Sequence, residues 1–101
     1  ADRERLAGQV RALELCGYRD TAERARLLVL AAMEEQDETT LAERVALVEH
    51  ATDIARRVAD RELLLWVLAY GCVPTRSPRT TAWRSQRLDE ARTLIQESSQ
   101  P

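Results

Sequence analysis

Lysine, asparagine and phenylalanine are missing from the chain altogether. All 15 basic residues are therefore arginine, against 17 acidic ones, and the net charge is −2. A chain balanced in this way has no global attraction for nucleic acid or for an anionic membrane. AT-rich codons specify the three missing residues, which points to a GC-rich bacterial genome. Glycine and proline are scarce, three of each, and Pro74 and Pro78 fall in one stretch. Long proline-free runs favour helices over a many-stranded sheet. The only cysteines, Cys16 and Cys72, form no CxxC, and the single histidine cannot complete a zinc site with them. Two reduced thiols in a cytosol are expected; a Cys16–Cys72 disulfide is the alternative, which no secretion signal supports. The longest strongly apolar run, Leu63 to Tyr70, falls far short of the roughly 20 residues of a membrane span. The opening residues, ADRERLAGQV, have no apolar core of the signal-peptide kind. A cytoplasmic protein without membrane contact is therefore expected. The first residue is not Met, which fits an excised piece of a larger protein or a processed start.

What remains is 101 residues with 45% apolar and 32% charged side chains, one globular domain with a modest core. Five helices are expected, over about 2–15, 21–35, 41–58, 61–71 and 81–97, in an all-α fold of antiparallel neighbours. The centre is residues 41 to 70, LAERVALVEHATDIARRVADRELLLWVLAY. Leu41, Val45, Val48, Ala51, Ala55 and Val58 step by three and four, which is one face of a helix. Arg44, Glu49, Asp53, Arg56 and Arg57 form its opposite, solvated face. After a break at Ala59-Asp60, the fourth helix is apolar nearly all round, so other helices must surround it. Asp20-Thr21-Ala22-Glu23 and Thr40-Leu41-Ala42-Glu43 fit capping boxes, and Asp60 fits an N-cap. GCVPTRSPRT is the longest loop, and Trp83, Leu88, Ala91, Leu94 and Ile95 give the fifth helix its stripe. Each pair, second with third and fourth with fifth, sets an apolar helix before an amphipathic one, as stacked helical hairpins do.

DTAERARLLVLAAMEE, followed by ERVALVEHATDIARRVADRELLLWVLAYGC, resembles the degenerate tetratricopeptide-like region of large bacterial regulators. These are the ATP-binding LuxR-type regulators and the related antibiotic-regulatory and cyclase-linked ATPases. The resemblance covers roughly residues 20 to 96. It implies stacked hairpins serving as an interaction or sensor segment of a signalling or transcription regulator. Trp66 and Tyr70 do not sit at the strict repeat's separation, so the likeness is to a degenerate repeat. The chain carries no phosphate-binding loop, no DNA-binding helix-pair signature and no cyclase motif.

No nucleophile–base pair or metal cluster can be assembled from the residues, so neither a catalytic site, a metal nor a cofactor is expected. His50 reads as a boundary histidine, with Asp53 one turn on. Glu34-Glu35 and Asp89-Glu90 point about 100° apart on their helices and read as surface. Trp66 and Tyr70, four apart on one helix, are either an aromatic wall for a partner or packed core. Trp83 is either part of that wall or a staple between the fifth helix and the loop. Arg76, Arg79, Arg84, Arg87 and Arg92 give the last quarter a basic bias.

The expected function is thus a non-catalytic helical interaction module. It would bind a protein partner, or itself as a homodimer, through Trp66, Tyr70, Val73, Trp83, Arg84 and Arg87. Two alternatives stand beside it. One is a small DNA-binding regulator using Arg84 and Arg87, although nucleic acid is not the expected partner of this segment. The other is a small-molecule sensor with a pocket beside Trp66, between the second, fourth and fifth helices.

Overall fold

The computed structural model describes residues 20–34 and 37–98. There the chain forms α1 (Ala22–Ala32), α2 (Leu41–Arg57), α3 (Arg61–Tyr70) and α4 (Thr81–Ser98), with one-turn 3-10 segments at Glu38–Thr40 and Pro78–Thr80 leading into α2 and α4. No strand occurs among the described residues. These four are the second to fifth of the expected helices. The helix expected over 2–15, and Cys16, lie outside the described residues.

Local chemistry sets the helix starts. Thr21, one residue later than expected, caps α1 by accepting from the Arg24 N–H at 3.1 Å. Asp20 is instead tied to Arg57, with Arg57 Nε donating to Asp20 Oδ2 at 2.5 Å. Asp60 caps α3 as expected, accepting from the Leu63 N–H at 3.0 Å. The capping box at Thr40 does not form, because Thr40 makes no side-chain cap to α2. Asp37 takes the capping role three residues earlier, accepting from the Thr39 N–H at 2.8 Å, and a 3-10 turn bridges the gap. The break at Ala59-Asp60 is sharp: Ala59 adopts φ 54°, and α3 starts at once.

The core joins Ala25, Leu28 and Val29 of α1, Ala51, Ile54 and Ala55 of α2, and Leu63 and Val67 of α3. Each helix packs on the next, and α1 also meets α3. Arg57 at the end of α2 returns to Asp20 before α1, and Glu97 near the end of α4 returns to Arg61 at the start of α3. The helices therefore come in two pairs, each folded back on itself.

Two expected faces are corrected. On α2, Val45 and Val58 are half-buried while Ile54 is fully buried. Arg44, assigned to the solvated face, is only 6% exposed. Its guanidinium donates to the carbonyls of Asp37 and Pro74, and Nε to Thr40 Oγ1 at 3.0 Å, so its charge is solvated by the chain itself. On α4, Leu88 and Ile95 are exposed and Arg87 is buried with Ala91. The helix is turned so that Trp83 and Glu90 reach α2, through Glu49 and Arg56. That rotation carries Leu88 and Ile95 to the far side.

Candidate interaction surface

Six residues were singled out as a binding surface, and the structure separates them. Trp66, Tyr70 and Val73 share the end of α3 and the loop after it. The two rings lie 5.0 Å apart and tilted by 32°. Trp66 is half-buried against the core, whereas Tyr70 and Val73 are exposed. Trp66 thus braces an aromatic edge that faces solvent. Leu30 of α1 is another large apolar side chain left exposed.

Trp83 is elsewhere, between α2 and α4, its indole N–H donating to Glu49 Oε1 at 3.1 Å. The Arg87 guanidinium stands 4.7 Å from the Trp83 ring centroid, and Nη2 donates to the Val67 carbonyl at 3.0 Å. Arg87 is 7% exposed, and Nε has no hydrogen-bond partner. Burial pushes this guanidinium below its ordinary value, with Cys72 and Glu90 acting in the opposite direction. Arg87 is therefore an interior residue that joins α4 to the last turn of α3. Arg84 is half-buried: Nε donates to Thr80 Oγ1 at 3.1 Å and Nη2 to the Ser77 carbonyl at 3.0 Å. Neither arginine is presented as a free cation for phosphate.

The loop after α3 is packed rather than open. Pro74 and Thr75 are fully buried, and Thr75 Oγ1 donates to the Gly71 carbonyl at 2.6 Å. At Gly71 the next layer comes close. A Cβ there would stand 2.5 Å from Val48 Cγ1 and 2.7 Å from the Val67 carbonyl oxygen. Cys72 is a half-buried free thiol, whose Sγ–H donates to the Leu68 carbonyl at 3.4 Å.

The starts of α2 and α4 repeat one another, a feature that composition and spacing had not exposed. Asp37, Thr40 and Arg44 correspond to Ser77, Thr80 and Arg84, each pair 40 residues apart. In both copies the first residue caps the N–H two positions on, Thr39 at 2.8 Å and Arg79 at 3.2 Å. In both, the threonine hydroxyl lies against the carbonyl of that capping residue, at 2.9 and 3.1 Å. In both, arginine Nε donates to the threonine oxygen, and Nη2 reaches the same carbonyl. The sequence signal is D/S-x-x-T-x-A-x-R, visible once the two copies are set in register.

Other polar groups pair off singly. Arg56 holds Glu90 with two bonds of 2.6 and 2.8 Å, which keeps that carboxyl below its usual range. Among the described residues no three of His, Cys, Asp or Glu converge as a metal site would require. His50 is half-buried and Asp53 exposed. An open cleft of about 260 Å³ lies where α2 ends and α3 begins, lined by Ala55, Leu64 and Leu94 among others. Trp66 is not part of its lining. Compared with known proteins, the chain matches no family model, no curated protein and no solved structure.

Proposed function

We propose that this chain is a non-catalytic helical interaction module, built of the stacked hairpins α1–α2 and α3–α4. The observation that carries the reading is the edge formed by Tyr70 and Val73, exposed beside a half-buried Trp66. An aromatic anchored on one side and wet on the other offers large contact area at little entropic cost, as interface aromatics do. The partner is a protein segment that buries this edge, and another copy of the chain is the partner at hand. The tetratricopeptide-like resemblance over residues 20 to 96 supports placing the module in a bacterial signalling or transcription regulator, acting in the cytoplasm. The DNA-binding reading loses its support where Arg84 and Arg87 spend their donors inside the fold.

Sedimentation velocity at rising concentration tests the proposal. Reversible association is expected for the parent chain. Tyr70→Glu combined with Val73→Glu abolishes it while far-UV circular dichroism stays unchanged. A parent chain that stays monomeric at every concentration, or association indifferent to both substitutions, refutes this edge as the contact.

A further inference from the structure

We infer that a second surface, the end of the α3–α4 pair facing away from α1 and α2, docks a third helical hairpin of the same 40-residue pattern. This goes beyond the edge at Tyr70 and Val73 and concerns a different face. The two hairpins align residue for residue at a shift of 40, as the matched turns before α2 and α4 require. Comparing burial at matched positions then reads as an experiment on the same unit with and without a neighbour. Ala25, Val29, Ala32, Val48 and Ala55 of the first hairpin are all at most 1% exposed. Their counterparts are Leu65, Ala69, Cys72, Leu88 and Ile95. Leu65 and Cys72 are half-buried and Ala69 exposed, while Leu88 and Ile95 are 46% and 54% exposed. Positions that face inward within each hairpin show no such contrast: Leu28 and Leu68, and Ala51 and Ala91, are buried in both. The set that changes is therefore the set that the following hairpin covers. In the second hairpin it remains apolar, and larger.

Three further details specify the occupant. The first is the arginine fork. Arg44 spends Nη2 and Nε on its own turn and sends Nη1 to the Pro74 carbonyl in the following hairpin. Arg84 repeats the first two bonds, and no described residue accepts from its Nη1. An incoming hairpin with a carbonyl where Pro74 stands would take it. The second is the close approach at Gly71, which packs against Val48. Leu88 occupies the matched position, so the incoming first helix needs a glycine there. The third is polar and belongs to the second helix of each pair. Glu49 and Arg56 of α2 receive Trp83 and Glu90 of α4. Asp89 and Gln96 stand at the matched places. A lone helix laid across α3 and α4 would leave those two unused, whereas a hairpin supplies a second helix to meet them.

The test is a chain lengthened by a copy of residues 60–99 placed directly after residue 99, which keeps the 40-residue register. Both it and the parent carry Cys16→Ser, and the added copy has serine for its own cysteine, so that Cys72 is the one thiol. The lengthened chain is expected to melt in a single transition above the parent. Alkylation of Cys72 is expected to slow by about tenfold or more, because labelling then waits on local opening. Leu88→Glu with Ile95→Glu removes both gains in the lengthened chain and leaves the parent's melting temperature unchanged. A parallel pair carrying Leu88→Val restores the side chain that Gly71 meets in the first contact. If the added hairpin melts separately and leaves Cys72 equally reactive with either Leu or Val at that position, the inference fails. Loss of self-association through Tyr70 and Val73 would leave this result untouched, so the two proposals fail separately.

Discussion

Ala59 and Gly71 show how one methyl group acts in opposite directions. Ala59 sits at φ 54°, in the left-handed region, where a Cβ costs about 1–2 kcal/mol. Ala59→Gly removes that strain, and the freer unfolded chain takes part of the gain back, so about 0.5–1 kcal/mol of added stability is expected. Gly71 is the reverse case. Its φ of −64° suits any residue, and helix propensity alone would favour alanine by about 1 kcal/mol. Space decides instead, because a Cβ would meet Val48 Cγ1 at 2.5 Å and the Val67 carbonyl oxygen at 2.7 Å. The second neighbour is backbone and cannot swing away. Overpacking of this kind costs about 1–3 kcal/mol and outweighs the propensity gain, so Gly71→Ala is expected to lose roughly 2 kcal/mol. Urea unfolding of the two variants measures both, and a stabilised Gly71→Ala would contradict the close approach. The break at Ala59 was legible in the sequence, since Asp60 announces a new helix. The role of Gly71 was not, because its constraint comes from Val48, 23 residues away.

Helix existence and extent were readable because caps and scarce prolines mark the ends, and each described helix falls within a few residues of its expected span. Helix rotation was not readable where polar and apolar residues trade places. On α4 the apolar Leu88 and Ile95 suggested an inward stripe, but Arg87 goes inside because Val67 offers a carbonyl and Trp83 a ring face. The same logic hid Arg44, whose acceptors are the carbonyls of a turn before its helix and a loop 30 residues later. The candidate surface divided for this reason: Tyr70 and Val73 stayed outside, while Arg87 became structural. The paired turns give a measurable consequence for the elements. Arg44 and Arg84 each clamp a 3-10 turn onto its helix, but only Arg44 also reaches the next hairpin. A hydrogen bond from a charged group contributes about 1.5–3 kcal/mol. Arg44→Ala is therefore expected to cost at least about 1.5 kcal/mol more than Arg84→Ala in thermal or urea unfolding. Equal losses would mean that the Pro74 carbonyl adds nothing.

Over the whole molecule, ion pairs link what the core does not. The helices α2 and α4 touch through side chains, above all Arg56 with Glu90, while Arg57–Asp20 and Arg61–Glu97 close each hairpin. The linked carboxyls respond to pH with one sign. Glu90 is held below its ordinary 4.5 chiefly by the Arg56 hydrogen bond, and Asp20 below 3.8 chiefly by that of Arg57. Asp37 is held below 3.8 by the N–H and hydroxyl of Thr39. A carboxyl with a depressed folded value binds fewer protons in the folded chain than in the unfolded one. Its stabilisation is complete above the unfolded value and is lost as pH falls through the folded one. Stability is thus expected to hold level from neutral pH down to about 4.5 and to decline below it. Both partners of the α2–α4 pair are well exposed to water, so its share is at most about 1 kcal/mol. Arg56→Gln separates that share from the rest. The variant is expected to be less stable than the parent at pH 7, to lose less between pH 5 and pH 3, and to converge on the parent in acid. Urea midpoints taken across that range decide it, and parallel curves for the two chains would show that Glu90 does not link α2 to α4 in solution.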